Sequence, residues 1–245
     1  HAYRSQTELF SGNLYAAIEH ARLSTEISVR HQHADISALS CRVLGDLCLG
    51  VRTFQDAVVC YRRGVELGGG SPIGLDCASR LGMALVMTGD SLNGAELIRS
   101  THQTAQSAGL GWIEINTTVV LGLVHVIQRD WTAALSCAQR ARAIAEEKHW
   151  LTFLSISLMI TGLCAGQEGK PERMAQNLRA ALEVAQQMPS AWIEAQIHQY
   201  FLGPFQKELS HKGISLSPQA HHLMAQMTNP QVVAQLKDLV SRHLP

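Results

Sequence analysis

Histidine, cysteine and the carboxylates are the side chains best able to do chemistry, and this chain of 245 residues has 12 His, 6 Cys and 20 Asp+Glu. Whether they act together depends on spacing. The closest histidine pairs, His31 with His33 and His221 with His222, lack both the i, i+4 helical spacing and a neighbouring cysteine. A metal site needs three or four converging ligands, so these histidines read as surface or linker residues and no metal is expected. There is no H-E-x-x-H. His125 falls on a face that should pack, and reads as a core histidine whose ring finds a backbone partner. The stretch from Gly166 to Pro171 has the wrong glycine spacing for a phosphate loop and carries Pro171 where a magnesium-binding Ser or Thr would stand. Gly70-Ser71-Pro72 lacks the flanking glycine of a nucleophile elbow, which makes Ser71 linker chemistry. Cys41, Cys48, Cys60, Cys77, Cys137 and Cys164 form no C-x-x-C and sit in apolar stretches, as reduced, buried thiols of a cytoplasmic protein do. Neither a catalytic constellation nor a cofactor motif emerges, so the expectation is a protein that is not an enzyme.

Composition narrows the partners. Twenty Lys+Arg balance 20 Asp+Glu, and a neutral chain lacks the cationic excess that nucleic acid or an anionic membrane surface demands. With 46% apolar residues and a mean hydropathy of +0.02, the chain should bury a core. No uncharged apolar run of about 18 residues is present, and no basic-then-apolar leader.

The elements that must position any site reveal themselves through a repeat. Gly45, Gly82, Gly122, Gly162 and Gly203 recur at spacings of 37, 40, 40 and 41, and all but Gly162 follow a leucine. Turn chemistry comes seven or eight residues after each of the first four: Arg52-Thr53, Gly89-Asp90, Arg129-Asp130 and Gly169-Lys170. Tyr61, Ile98, Ala138 and Leu178 stand sixteen after the anchors, with small residues at nineteen. Each copy therefore predicts two antiparallel helices in close contact. First helices are expected at 34–50, 74–88, 113–128, 151–167 and 191–203, and second helices at 13–28, 54–67, 91–108, 131–147 and 171–187. An earlier partial copy has Ser5 at the anchor and Gly12-Asn13 at the turn, so the chain, which begins with His1, is expected to be a fragment that starts in mid-repeat. Its open N-terminal edge suggests self-association. Trp112, Trp150 and Trp192, near the starts of successive first helices, are expected to pack one repeat onto the next.

Leu44-Gly45 followed by Phe54, Ala57, Tyr61 and Gly64, and the Gly89-Asp90 turn, resemble the tetratricopeptide repeat over residues 3 to 203. The period near 40 exceeds the 34 of the standard repeat, and the closing proline is missing from most copies. With the tryptophan openings, this long-period form is similar to the superhelices of MalT-type transcription activators and to arrays attached to bacterial adenylate cyclases. The resemblance implies an all-α, right-handed solenoid of about five two-helix repeats over 1–203, and 204–245 reads as an atypical helical cap.

The resemblance also implies that first helices line a concave groove. Its offsets place Arg42, Asp46, Met83, Val86, Met87, Val119, Leu123, Ile127, Met159, Leu163 and Tyr200 there as partner-binding residues. Leu39, Leu49, Asp76, Ser79, Asn116, Val126, Ile156, Gln167 and Ile197 share that face. The groove is polar at one end and apolar through its middle. One reading is a docking surface for a peptide helix or a small apolar effector; the other is a face filled permanently by a tight superhelix or the C-terminal segment. The expected function is a non-catalytic interaction and effector-sensing domain of a larger cytosolic signalling or transcription-regulating protein, with a stand-alone scaffold as runner-up and an enzyme with an unrecognised site third.

Overall fold

A computed structural model describes residues 1–31, 33–188, 190–199 and 216–244. Thirteen helices and no strand are found among them: α1 (Ala2–Ser11), α2 (Leu14–His31), α3 (Ala34–Gly50), α4 (Phe54–Gly68), α5 (Pro72–Met87), α6 (Ser91–Ser107), α7 (Gly111–Ile127), α8 (Trp131–Lys148), α9 (Leu151–Gln167), α10 (Pro171–Gln186), α11 (Ala191–Ile197), α12 (Pro218–Met227) and α13 (Pro230–His243). The boundaries follow local chemistry. Pro72, Pro171, Pro218 and Pro230 open helices, where a missing N–H costs nothing. Ser71, read above as linker chemistry, accepts from the Gly74 amide as an N-cap, which starts α5 two residues earlier than expected. The turns after the first helices need a left-handed residue: Gly12, Gly89 and Gly169 supply it, whereas Arg52 (φ 64°) and Arg129 (φ 61°) adopt it at a steric cost.

The spacing of anchor and partner becomes packing. A Cβ added to Gly45 would lie 2.4 Å from the Tyr61 ring, and one added to Gly82 would lie 2.5 Å from Ile98 and 2.8 Å from the Gly94 carbonyl oxygen. Residue sixteen thus rests directly on the glycine of its own first helix in these two copies and at Gly162, where it is Leu178, whereas Gly122 is covered by Cys137 and by Ile160 of the next first helix. In the partial copy, Ser5 takes the glycine's place and its hydroxyl donates to the Ala17 carbonyl at 2.6 Å.

Consecutive helices pack along the array, and α1, α3, α5, α7, α9 and α11 also touch in succession to form an inner layer. Trp112 and Phe153 join α7 to α9 edge to face, with ring centroids 4.6 Å apart. Trp192 behaves differently. Its ring fills the space where a Gly50 side chain would be, bringing α11 against α3. Beyond it, α12 and α13 fold back on α2, and α13 also reaches α3 and α4. The Leu14 amide donates to Gln226 Oε1 at 3.0 Å, and Asn229 Nδ2 donates to the Tyr15 hydroxyl at 3.0 Å. Buried Glu194 accepts from the Ser217 amide and hydroxyl, both at 2.6 Å, and ties α12 to α11.

The N-terminal edge is therefore covered rather than open, because the apolar faces of α11, α12 and α13 meet those of α1 and α2. One core runs from Leu9 and Leu14 through Leu223, Leu236 and Leu244. The Leu202-Gly203 anchor lies outside the described residues.

Candidate functional site

The inner layer encloses a cavity of about 480 Å³. Arg42, Asp46, Met83, Met87, Val119, Leu123 and Met159 line it, with Leu49, Asn116, Ile156 and Ile197 from the same expected face. Three of the eleven expected partner-binding residues lie elsewhere, and Leu39, Asp76, Ser79, Val126 and Gln167 of the same expected face are also absent from the lining. Val86 turns into a core cluster with Ala95, Ile98, Val120 and Val124, Leu163 is buried in the main core, and Ile127 is exposed at the end of α7. A fixed offset from each anchor cannot follow the rotation of successive helices: Leu49 and Met87, four and five past their glycines, line the cavity, whereas Val86 and Ile127 at the same offsets, and Leu163 one past its glycine, do not. Tyr200 lies outside the described residues.

The offsets also missed much of the wall. Gln6 and Phe10 come from α1; Trp112 and Phe153 stand on α7 and α9; Met188, Ser190, Trp192, Ile193 and Gln196 approach from the C-terminal side. Both ends of the array thus contribute to one cavity, which no periodic rule within a repeat could indicate.

Arg80 was missed as well, although a signal existed. Arg42-x-x-x-Asp46 and Asp76-x-x-x-Arg80 are i, i+4 pairs of opposite order on successive first helices. They meet as a quartet. Asp46 Oδ2 accepts from Arg42 Nη1 at 2.8 Å, and Asp46 Oδ1 accepts from Arg80 Nη1 and the Tyr61 hydroxyl, both at 2.7 Å. Arg80 Nε donates to Asp76 Oδ1 at 3.3 Å, Arg42 Nε lies 3.6 Å from Asp76 Oδ2, and Asn116 Nδ2 also donates to Asp76. Arg42 Nη2 donates to Gln6 Oε1 at 2.9 Å. Arg42 and Asp46 are 4% and 7% exposed, too buried to be charged without partners. Burial opposes the Arg80 charge, but the carboxylates of Asp46 and Asp76 more than offset it and hold the guanidinium above its usual range. Burial and the neighbouring Asp46 charge push the Tyr61 hydroxyl the same way, so it stays a neutral donor.

Much of the remaining lining is apolar: Met83, Met87, Leu123, Ile156 and Met159 line the cavity with the quartet, and methionine adapts to varied apolar shapes.

Among the described residues no three His, Cys, Asp or Glu side chains group in a way that could hold a metal. Burial pushes the Cys41 and Cys77 thiols up to about 12 and Cys164 up to about 11, which keeps them unreactive. His125 is not the satisfied core histidine expected: its side chain is partly exposed, Nδ1 makes no hydrogen bond, and Asp130 Oδ2 lies 3.7 Å away. Among the described residues, no helix is long and apolar enough to cross a membrane. No family model matches the sequence, and none of the curated proteins is detectably similar to it.

Proposed function

We propose that this chain is a non-catalytic, effector-sensing helical-repeat domain of long-period tetratricopeptide type, right-handed and of about five repeats, which holds a small molecule at the centre of its array. The carrying observation is the cavity: about 480 Å³, lined largely by apolar side chains and including an organised cluster of ion pairs. Ligand sites are of this size and character. The size of the cavity, set against a helix about 10–12 Å across with its side chains, favours a small effector over an amphipathic peptide helix as the occupant.

The mechanism follows from where the wall residues come from. Phe10 of α1 and Trp192 and Ile193 of α11 line the same space, so an occupant bridges the first and last helices of the inner layer. Occupancy stabilises the closed arrangement over any loosened one, by the ligand's differential affinity for the two. In a larger cytoplasmic regulator this would be read by attached domains or a partner protein. Buried, unpaired thiols suit a reducing compartment.

The test is native mass spectrometry of the protein after incubation with a cell extract, comparing wild type with Met87→Glu. Capture of a small molecule by the wild type alone, with both proteins melting cooperatively, supports the reading. If neither captures anything and Met87→Glu melts like wild type, the cavity is not a ligand site.

A further inference from the structure

We propose that the cavity's ligand is a small amphipathic organic acid, with its carboxylate on Arg80 and its apolar body against Met83, Met87, Leu123 and Ile156. The inference rests on the cavity being a ligand site, and deepens that reading by naming the ligand's class.

The argument is an account of donors and acceptors. Among the described residues, the ionised side chains that line the cavity are Arg42, Arg80 and Asp46; Asp76, which completes the charge balance, stands behind the lining. The surface shown to a ligand thus carries two cations against one anion. The carboxylates of the quartet are already engaged. Asp46 accepts from Tyr61, Arg80 and Arg42, and Asp76 Oδ1 accepts from Arg80 and Asn116. Donors remain. A guanidinium has five N–H groups and no acceptor. All three Arg42 nitrogens face partners, whereas Arg80 commits Nε and Nη1, and among the described residues its Nη2 makes no hydrogen bond. The Arg80 side chain is 32% exposed, against 5% for Arg42, so it is the cation a ligand can reach. Gln6 turns its Oε1 to Arg42, which leaves its NH2 as a further donor at the same end.

An incoming carboxylate meets open N–H groups there, while an ammonium would have to displace Arg80 from carboxylates it already holds. The body of the ligand is set by the rest of the cavity. A 150 Å³ cavity accommodates benzene, so 480 Å³ has room for about 19 non-hydrogen atoms at similar packing.

Decanoate, 1-decanol and decylamine share one apolar body and differ in the head, so they test the proposal by calorimetric titration, with native mass spectrometry for stoichiometry. Decanoate should bind one per chain and about tenfold or more tighter than decanol, as a hydrogen bond to a charged group allows, with decylamine weakest. In Arg80→Gln the preference for decanoate over decanol should fall to near unity. Being a ratio within one protein, it is insensitive to that variant's stability. Leu123→Trp, which fills the apolar end and leaves the quartet intact, should abolish binding of both. Equal binding of decanoate and decanol to wild type, or an unchanged preference in Arg80→Gln, overturns the organic acid but keeps the cavity as a site. Failure of all three probes to bind the wild type overturns both.

Discussion

Asp46 joins more of the site than any other residue, and replacing it with Asn isolates what its charge contributes. Asp46→Asn keeps the shape of the side chain but removes the negative charge that Arg42 and Arg80 approach at 2.8 and 2.7 Å. Arg42, 4% exposed, is left with Asp76 Oδ2 at 3.6 Å as its carboxylate neighbour. Breaking a buried pair by removing one partner typically costs 3–5 kcal/mol, because the remaining charge stays desolvated. At ~2–4 °C per kcal/mol for a domain of this size, the melting temperature should fall on the order of 10 °C. Urea unfolding followed by tryptophan fluorescence at neutral pH measures the free energy directly. Tyr61→Phe removes only the hydroxyl that donates to Asp46 at 2.7 Å and should cost about 1–2 kcal/mol. The double variant should fall short of the sum by about 1 kcal/mol, since the two share one interaction. Glu96→Gln breaks the exposed ion pair with Arg99 and serves as the control, within about 0.5 kcal/mol of wild type. An Asp46→Asn protein no less stable than Glu96→Gln would refute the reasoning that the quartet is a coupled, desolvated unit.

Other perturbations probe the rest of the fold. Arg129→Gly should stabilise the protein by about 0.5–1 kcal/mol in the same assay, because it relieves a left-handed residue at an exposed turn. Gly82→Ala should cost about 1–3 kcal/mol, as its Cβ would meet Ile98 and the Gly94 backbone oxygen, while Gly122→Ala, with nearest neighbours at 3.1 and 3.2 Å, should cost less; thermal melts of the pair check the order. Stability should also fall above pH 9. Cys41 and Cys77 titrate at about 12 when folded and near 9 when unfolded, so the unfolded chain loses protons first and each thiol removes about 1 kcal/mol per pH unit between those values. Urea midpoints at pH 8, 9 and 10 measure this, and a flat profile would contradict it. Trp192→Ala, opening a void against Gly50 and Met227, should cost about 3–5 kcal/mol and weaken decanoate binding.

The sequence by itself determined the helices and their pairing. An anchor glycine, a partner sixteen residues on and a turn between them are local facts, written within some twenty residues and repeated, so Gly45 under Tyr61 and Gly82 under Ile98 were legible in the spacing. The apolar middle of the inner face, Met83, Met87, Leu123 and Met159, was legible for the same reason. Only the tertiary structure decided that the ends meet. Leu14 and Gln226, joined by a hydrogen bond, are 212 positions apart, and whether they come together depends on small rotations from one helix pair to the next, accumulated along the array. Such rotations are set by side-chain interdigitation at each seam, which a periodic pattern does not encode. The same accumulation turned Val86 and Leu163 into the core, brought Phe10 and Trp192 to one cavity, and gathered Arg42, Asp46, Asp76 and Arg80 into a quartet in which Arg80 is the more exposed of two guanidinium groups lining the cavity.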